Sequence, residues 1–316
     1  MQKQLLGRTG IEVSELCYGT LTFSPLQADL PPARAGELLK YAFSRGISFL
    51  DTAQYYQNYP HIREGLRGWN GDVVIATKTY AYDSKGAREA VEEARRELDR
   101  DVIDIFLLHE QESIYTLKGH MEALETLRTY KERGIIRAVG ASMHHVAAVR
   151  GAMSVGLDVI HPIINLEGVG IADGTREEME KALTDAASWG IGIYTMKALG
   201  GGNLFRRAEE CLRYAFSLPF AASRAVGMQS EEEIDANVNF AETGAFSPEA
   251  KEKLEKRQRR LIIEEDCIGC GNCVKKCFQK AVFLENNKKT PTIDREKCVL
   301  CGYCAKTCPV CAIKVI

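Results

Sequence analysis

Short apolar runs alternate along this chain with longer segments whose apolar positions recur every three or four residues. The runs predict strands at 16–19, 48–50, 73–77, 103–108, 136–140, 159–163, 192–196 and 225–227. The periodic segments predict helices at 84–98, 117–133, 145–155, 175–189, 208–216 and 231–242. Residues 3–14 alternate around Gly7-Arg8-Thr9-Gly10 and predict a small hairpin ahead of them. Eight strand–helix units in succession match an α/β architecture, a closed (β/α)8 TIM barrel, better than an open sheet. An open sheet binding a dinucleotide would carry G-x-G-x-x-G after its first strand, and the chain has no such sequence there.

The rhythm stops near residue 246. Residues 247–261, SPEAKEKLEKRQRRL, open on a Ser-Pro helix start and interleave Glu249, Glu252 and Glu255 with Lys and Arg, which predicts a solvated connecting helix. Beyond it, nine of the eleven cysteines fall in the last 50 residues. The expected division is therefore a barrel at 1–246, a linker at 247–261 and a cysteine module at 262–316. The net charge of −2 gives no reason to expect nucleic acid as partner, and no apolar run is long enough to predict a membrane span or a signal peptide. A cytoplasmic setting is expected, where clustered cysteines point to metal rather than to disulfides.

A barrel of this kind keeps its chemistry at the C-terminal ends of several strands. Those ends offer Asp51 and Tyr56 from FLDTAQYY, Lys78 from VVIATK and His109 from DIFLLH. Each alone has an ordinary explanation as a polar loop residue, a snorkelling lysine or a structural histidine. Together they fit one task. Tyr56 can protonate a developing alkoxide if Lys78 lowers its pKa, Asp51 can hold Lys78, and His109 can bond the substrate oxygen.

With LGRTGIEVSELCYGT, FLDTAQYY, VVIATK, DIFLLH, IIRAVGAS and GIGIYTMKALGGG in this order, residues 3–245 resemble the aldo-keto reductase family. The resemblance implies that Tyr56, rather than Tyr55, donates the proton, and that NADPH or NADH delivers hydride to a small carbonyl. It also implies cofactor contacts at Gly19, Thr20, Ser142, His161, Asn165, Met196, Lys197, Leu199, Gly200, Gly227, Gln229, Glu233 and Asn237. Several of these depart from the family pattern. Gln57 follows the tyrosine in place of Gly, Met143 follows Ser142 in place of Asn, and His161 stands for Gln with Asn165 as a nearby substitute. Met196 takes the place of the aromatic that stacks on the nicotinamide. Gly227 and Glu233 stand where many members carry basic residues, so a 2′-phosphate would meet a carboxylate unless Arg206, Arg207 or Arg224 reaches across. NADH is then as plausible as NADPH. The loops at 110–116 and 200–207 are too short to wall a pocket, so its roof is expected from elsewhere. Cys17 and Cys211 read as buried packing.

The module carries Cys267-x2-Cys270-x2-Cys273-x3-Cys277 and, 21 positions on, Cys298-x2-Cys301-x2-Cys304-x3-Cys308-Pro309. Three thiolates at two-residue gaps wrap a cubane, and the fourth of each run ligates the other cluster. Cluster I takes Cys267, Cys270, Cys273 and Cys308; cluster II takes Cys298, Cys301, Cys304 and Cys277. The resemblance is to bacterial two-cluster ferredoxins, which implies a small C-terminal ferredoxin-like domain with two [4Fe–4S] clusters. A zinc pair is the rival, although zinc knuckles usually lack the third cysteine. Phe278 replaces the proline after Cys277, and Cys311 is a ninth cysteine that reads as a packed thiol.

A nicotinamide moves a hydride and a cluster moves one electron, and no flavin motif bridges the two. Three functions therefore stand side by side. The first is NAD(P)H-dependent carbonyl/alcohol interconversion, with the clusters serving electron transfer to a redox protein partner. The second is one-electron chemistry at the tetrad of Asp51, Tyr56, Lys78 and His109 without nicotinamide. The third is an electron carrier without catalysis.

Overall fold

A computed structural model describes residues 1–285 and 288–316. The hairpin forms, with β1 (Lys3–Leu5) antiparallel to β2 (Glu12–Ser14). Eight parallel strands then close into a barrel: β3 (Leu16–Gly19), β4 (Phe49–Asp51), β5 (Val74–Thr79), β6 (Ile103–Gln111), β7 (Ile136–Met143), β8 (Val159–Pro162), β9 (Gly192–Met196) and β10 (Ser223–Gly227). β10 pairs with β3 to shut the ring. Leu6, Ile11 and Val13 of the hairpin pack with Cys17, Phe49 and Tyr194 inside the barrel. Arg8 N donates to Gly190 O ahead of β9, so the hairpin stops the barrel at the N-terminal ends of its strands. Each of those buried aliphatic side chains stabilises the plug by about 1.5–3 kcal/mol.

Three strands run further than their apolar patterns predict. β5, β6 and β7 continue to Thr79, Gln111 and Met143, so Lys78, His109 and Ser142 lie within strands rather than after them. Polar residues at a strand end look like loop when the partner strand is unknown; here the ladder continues because the side chains face the barrel mouth. The β6–β7 register slips between Leu108 and Gln111, where Glu110 takes φ 50°. That irregularity re-aims the residues around His109.

Around the barrel lie α1 (Pro32–Ser44), α2 (Tyr59–Leu66), α3 (Ser84–Leu98), α4 (Ile114–Gly119), α5 (Met121–Glu132), α6 (Val146–Ser154), α7 (Arg176–Ser188), α8 (Ala208–Ser217) and α9 (Glu231–Thr243). The helix predicted at 117–133 is two. Ser113 caps α4 through Thr116, and the His120 ring bonds Thr116 O at 2.8 Å where the chain turns into α5. α1 and α2 were not predicted, although Ala35, Leu38, Leu39, Ala42 and Phe43 give α1 a buried face at helical spacing.

The linker departs more. Only α10 (Pro248–Lys256) is helical, capped by Ser247, whose hydroxyl accepts from Ala250 N at 3.1 Å. Residues 257–260 leave the helix, and β11 (Leu261–Ile263) follows at once. The cysteine module then adds α11 (Asn272–Lys276) and the short pair β12 (Val282–Phe283) and β13 (Thr292–Ile293). It ends with β14 (Ile313–Val315), antiparallel to β11.

The module seats on the C-terminal mouth of the barrel. Val315 N donates to Gly201 O at 3.0 Å, and Asn203 Nδ2 donates to Ile313 O at 2.9 Å. Gly202 has to be glycine for this contact, because a Cβ there would overlap the Val315 carbonyl. Gln27 bonds Glu264 at 2.8 Å, and Lys306 pairs with Glu167 at 2.6 Å. The missing roof is therefore supplied by the module, bonded to loops after β3, β8 and β9.

Candidate active site and cysteine module

Asp51 and Lys78 are both almost fully buried and pair at 2.8 Å, with a second Lys78 ammonium proton on Thr52 O at 2.8 Å. Asp51 has two further partners. Tyr194 donates its hydroxyl at 2.9 Å, and His161 Nε2 stands 3.5 Å from the same carboxylate oxygen. Burial acts to raise the Asp51 pKa, but the Lys78 charge and then His161 outweigh it and hold the carboxyl well below its usual range. The pair is thus charged inside the barrel, and a buried charge persists only with partners of this kind.

The Lys78 ammonium lies 5.0 Å from the centre of the Tyr56 ring. The sequence suggests that it lowers the Tyr56 pKa; the structure gives the opposite direction. Burial, followed by the Asp51 and Glu110 charges, pushes the phenol well above its ordinary value. Burial is the largest cause, and the Lys78 charge that was expected to oppose it is paired with Asp51. His109 stands edge-on to Tyr56 with ring centres 5.9 Å apart, and its Nδ1 is buried without a partner. Burial and then Lys78 hold His109 well below its ordinary pKa, so the imidazole is neutral. Tyr80 stacks on its face at 4.4 Å and bonds Glu110 at 2.7 Å.

A cavity of about 870 Å³ begins at Asp51, Tyr56 and His161 and runs under the module to Glu233, Asn237, Arg257 and Arg259. Eight Lys or Arg side chains line it against five Asp or Glu. At its far end Arg257 pairs with Glu233 at 3.0 Å and also bonds Ser230 Oγ and Gln229 Oε1, both at 2.9 Å. Arg259 approaches Glu233 at 3.5 Å, while its Nε and Asn237 Oδ1 are buried without partners. The two guanidiniums leave this end with one positive charge in excess of Glu233. That arrangement fits a ligand with a phosphate at one end and a reacting group at the other.

Between mouth and module, Lys314 pairs with Glu264 at 3.2 Å and reaches Cys311 Sγ at 3.7 Å. Cys311 is buried in the barrel's own apolar cluster. Gly170 makes room for it, since a Cβ there would stand 2.8 Å from the Cys311 sulfur. Burial would raise this thiol's pKa, but Lys197 and Lys314 overcome it and the net shift is downward. Cys17 and Cys211 are fully buried.

Cys277, Cys298, Cys301 and Cys304 stand around one small hollow in the module. Burial and the neighbouring Cys301, Cys273 and Cys298 sulfurs push the Cys304 thiol up to about 12. The second group is also together: burial, then Cys267 and Cys308, raises Cys273. Backbone amides of Ala281 and Ala312 donate to Cys277 Sγ and Cys308 Sγ, each at 3.3 Å. Each fourth cysteine thus receives an N–H from the residue four positions on, the kind of contact that supports a thiolate ligand. Among the described residues no three His, Cys, Asp or Glu side chains close on a single metal ion.

Residues 15–210 match the model of the aldo/keto reductase family, and residues 242–312 match a 4Fe-4S dicluster domain. The chain belongs to the aldo/keto reductase family. The same chain thus joins a barrel of this family to a match for an iron–sulfur domain. It is 26% identical over 221 residues to a "Probable voltage-gated potassium channel subunit beta" of Oryza sativa subsp. japonica, covering 65% of this chain and 66% of that protein. It is 27% identical over 219 residues to "Probable aldo-keto reductase 1" of Glycine max, covering 64% and 60%. The chain thus spans less than two thirds of either relative. The holo form of a Bacillus halodurans aldo-keto reductase superposes with a TM-score of 0.66 over 81% of this chain and 96% of that one; at 20% identity this speaks to the fold.

The cofactor positions implied by the family resemblance divide into two sets. Gly19, His161, Met196, Lys197, Leu199, Gly227, Gln229, Glu233 and Asn237 line the cavity. Thr20, Ser142, Asn165 and Gly200 do not. Thr20 bonds Asp51 O at 2.9 Å, and Ser142 Oγ accepts from Glu110 N at 2.9 Å. Asn165 turns both halves of its amide onto Val169 at 2.9 Å. His161 is committed as well, bonding Tyr194 O at 2.7 Å through Nδ1. Arg224 points to backbone carbonyls of Ala215 and Leu218 rather than the cavity. Gln57 takes φ 53°, a left-handed turn that the family's glycine adopts without strain. Sequence reasoning missed Tyr194, Arg257 and Arg259. The arginines had a signal in their two-residue spacing past a helix end, which puts both on one side of an extended segment. Tyr194 had none.

Proposed function

We propose that this chain reduces a small carbonyl compound with NADPH, Tyr56 supplying the proton, and that two [4Fe–4S] clusters in residues 262–316 connect the reaction to a redox partner. The division into a barrel at 1–246, a linker at 247–261 and the cluster domain belongs to the same reading. One observation carries it: a single cavity joins Tyr56 to Arg257 and Arg259. A bound nicotinamide supplies hydride, and the clusters supply or accept single electrons. The residues do the rest. Tyr56 gives its hydroxyl proton to the carbonyl oxygen as the oxygen gains charge. Neutral His109 donates a ring N–H to the same oxygen. Lys78, held by Asp51, faces the Tyr56 ring and offsets the phenolate that remains. Arg257 and Arg259 favour NADPH, because a 2′-phosphate would receive two guanidiniums where the loop at 227–233 alone offers a carboxylate.

Titrating the anaerobically reconstituted chain with NADPH should quench protein fluorescence, and no binding of NADPH or NADH removes this reading. Tyr56 is shifted above 10.0 and His109 below 6.5. Neither group changes charge across the neutral range, so reductive kcat/KM should stay flat from about pH 7 to about pH 9. A bell centred near neutrality would assign the proton to another group. Crossed ligation predicts that Cys277→Ala costs cluster II alone. Bound iron should then fall from roughly eight to roughly four per chain, with one cubane signal kept.

A second reading is favoured by Leu300, which borders both the large cavity and the hollow of Cys277, Cys298, Cys301 and Cys304. Electrons from the clusters would then reach a bound carbonyl singly, two electrons and two protons completing the reduction. Turnover of dithionite-reduced protein with no nicotinamide present would support it.

A further inference from the structure

The hollow of Cys277, Cys298, Cys301 and Cys304 has two sides. Leu300 closes it toward the large cavity, while Lys276, Val299 and Tyr303 border it too. Outside stands an aromatic pair largely open to solvent. Phe278 is 79% exposed and Tyr303 52%, with rings edge-on at 6.5 Å. Val299 is exposed beside them, and the Cys301 sulfur belongs to an exposed residue. A ferredoxin-like module would place proline after Cys277; this chain puts a phenylalanine there, facing water. Uncovered aromatics of this kind mark contact surfaces more often than accidents.

Three lysines stand close to Phe278 in the chain. Lys275 and Lys276 end α11, and Lys280 stands two residues past Phe278; all three are exposed. Lys276 Nζ lies 5.8 Å from the centre of the Phe278 ring. Arg206, from the barrel, reaches Val299 O at 3.1 Å and extends the positive rim across both parts of the chain. Of the module's carboxylates, Asp294 pairs with Lys297 at 2.7 Å and Glu264 with Lys314 at 3.2 Å, while Glu296 is exposed.

We infer that the Phe278–Tyr303 face is the docking site for a small acidic one-electron carrier protein. This inference rests on the reading that these cysteines hold a cluster. The carrier's carboxylates would meet Lys275, Lys276, Lys280 and Arg206, and its apolar centre would cover the aromatic pair. One electron then leaves the carrier, which is oxidised, and reduces the cluster behind Cys301. The complementary charges steer encounter and so set the association rate more than the final affinity.

The test uses the full reconstituted chain and a reduced acidic flavodoxin as electron donor, following the loss of visible cluster absorbance by stopped flow. The second-order rate should fall steeply as salt is raised. Lys275→Glu with Lys280→Glu should lower it at least about tenfold at low salt and flatten that dependence. Phe278→Ser should lower it several-fold and leave the salt dependence in place. Dithionite, which needs no docking, should reduce parent and variants alike. Unchanged rates with flavodoxin in both variants, or a parent rate indifferent to salt, would overturn the docking site while leaving the clusters standing. A parent chain that dithionite cannot bleach would overturn the cluster reading, and the docking proposal with it.

Discussion

Tyr56→Phe should abolish measurable carbonyl reduction, lowering kcat by about 10²–10⁴, the usual worth of a positioned general acid. Phenylalanine keeps the ring that Lys78 approaches at 5.0 Å and that His109 meets edge-on, so the buried Asp51–Lys78 pair should survive. NADPH binding, read by fluorescence, should therefore be unchanged. That split separates a lost proton from a damaged site. The Tyr56 phenol is held well above its ordinary pKa, so at neutral pH it is always loaded with its proton. Turnover in Tyr56→Phe equal to that of the parent would remove Tyr56 as acid, and the neighbouring Tyr55, which is hydrogen-bonded to Asp266 at 3.4 Å, would not be its replacement without a site of its own.

Replacing Arg257 and Arg259 together by alanine should weaken NADPH binding about 100-fold and NADH binding less than about threefold. A hydrogen bond to a charged group is worth about 1.5–3 kcal/mol, so losing even one strong contact from each arginine reaches that factor. The double variant also leaves Glu233 facing the phosphate alone, which adds repulsion for NADPH and none for NADH. Equal loss of both nucleotides would mean that the arginines hold the module in place rather than read a phosphate. Loss of neither would separate the far end of the cavity from nucleotide binding.

The Arg257–Arg259 pair also shows where sequence reasoning stops. The loop at 227–233 has a carboxylate where a cation was sought, and Arg206, Arg207 and Arg224 were the candidates to compensate. The residues that reach Glu233 come instead from a stretch expected to be a solvated helix. Its charged pattern does suit a helix through Lys256, but nothing local says that residues 257–260 will run along the cavity wall. That path depends on β11 pairing with β14, a contact some 50 residues away in the chain.

His161 and Tyr194 make the same point inside the barrel. A histidine at the end of β8 was placed on the nicotinamide by resemblance. It lines the cavity, and its ring also stacks on Tyr194 at 3.9 Å and approaches Asp51. An isolated strand does not tell how deep a side chain lies in the barrel, since that depends on the stagger of neighbouring strands.

By itself the sequence determined the barrel, the N-terminal hairpin and the two cysteine runs, and it put Asp51, Tyr56, Lys78 and His109 forward as candidates. These follow from local rules: strand and helix periods, strand-end placement, and thiolate spacing that wraps a cubane. The tertiary structure decided the rest. It put the module on the barrel mouth, turned the Tyr56 pKa upward by burying the phenol beside Asp51, and brought Leu300 between the cysteine hollow and the cavity. These depend on which distant surfaces meet and which charges are already paired, and neither is written in the spacing of neighbouring residues.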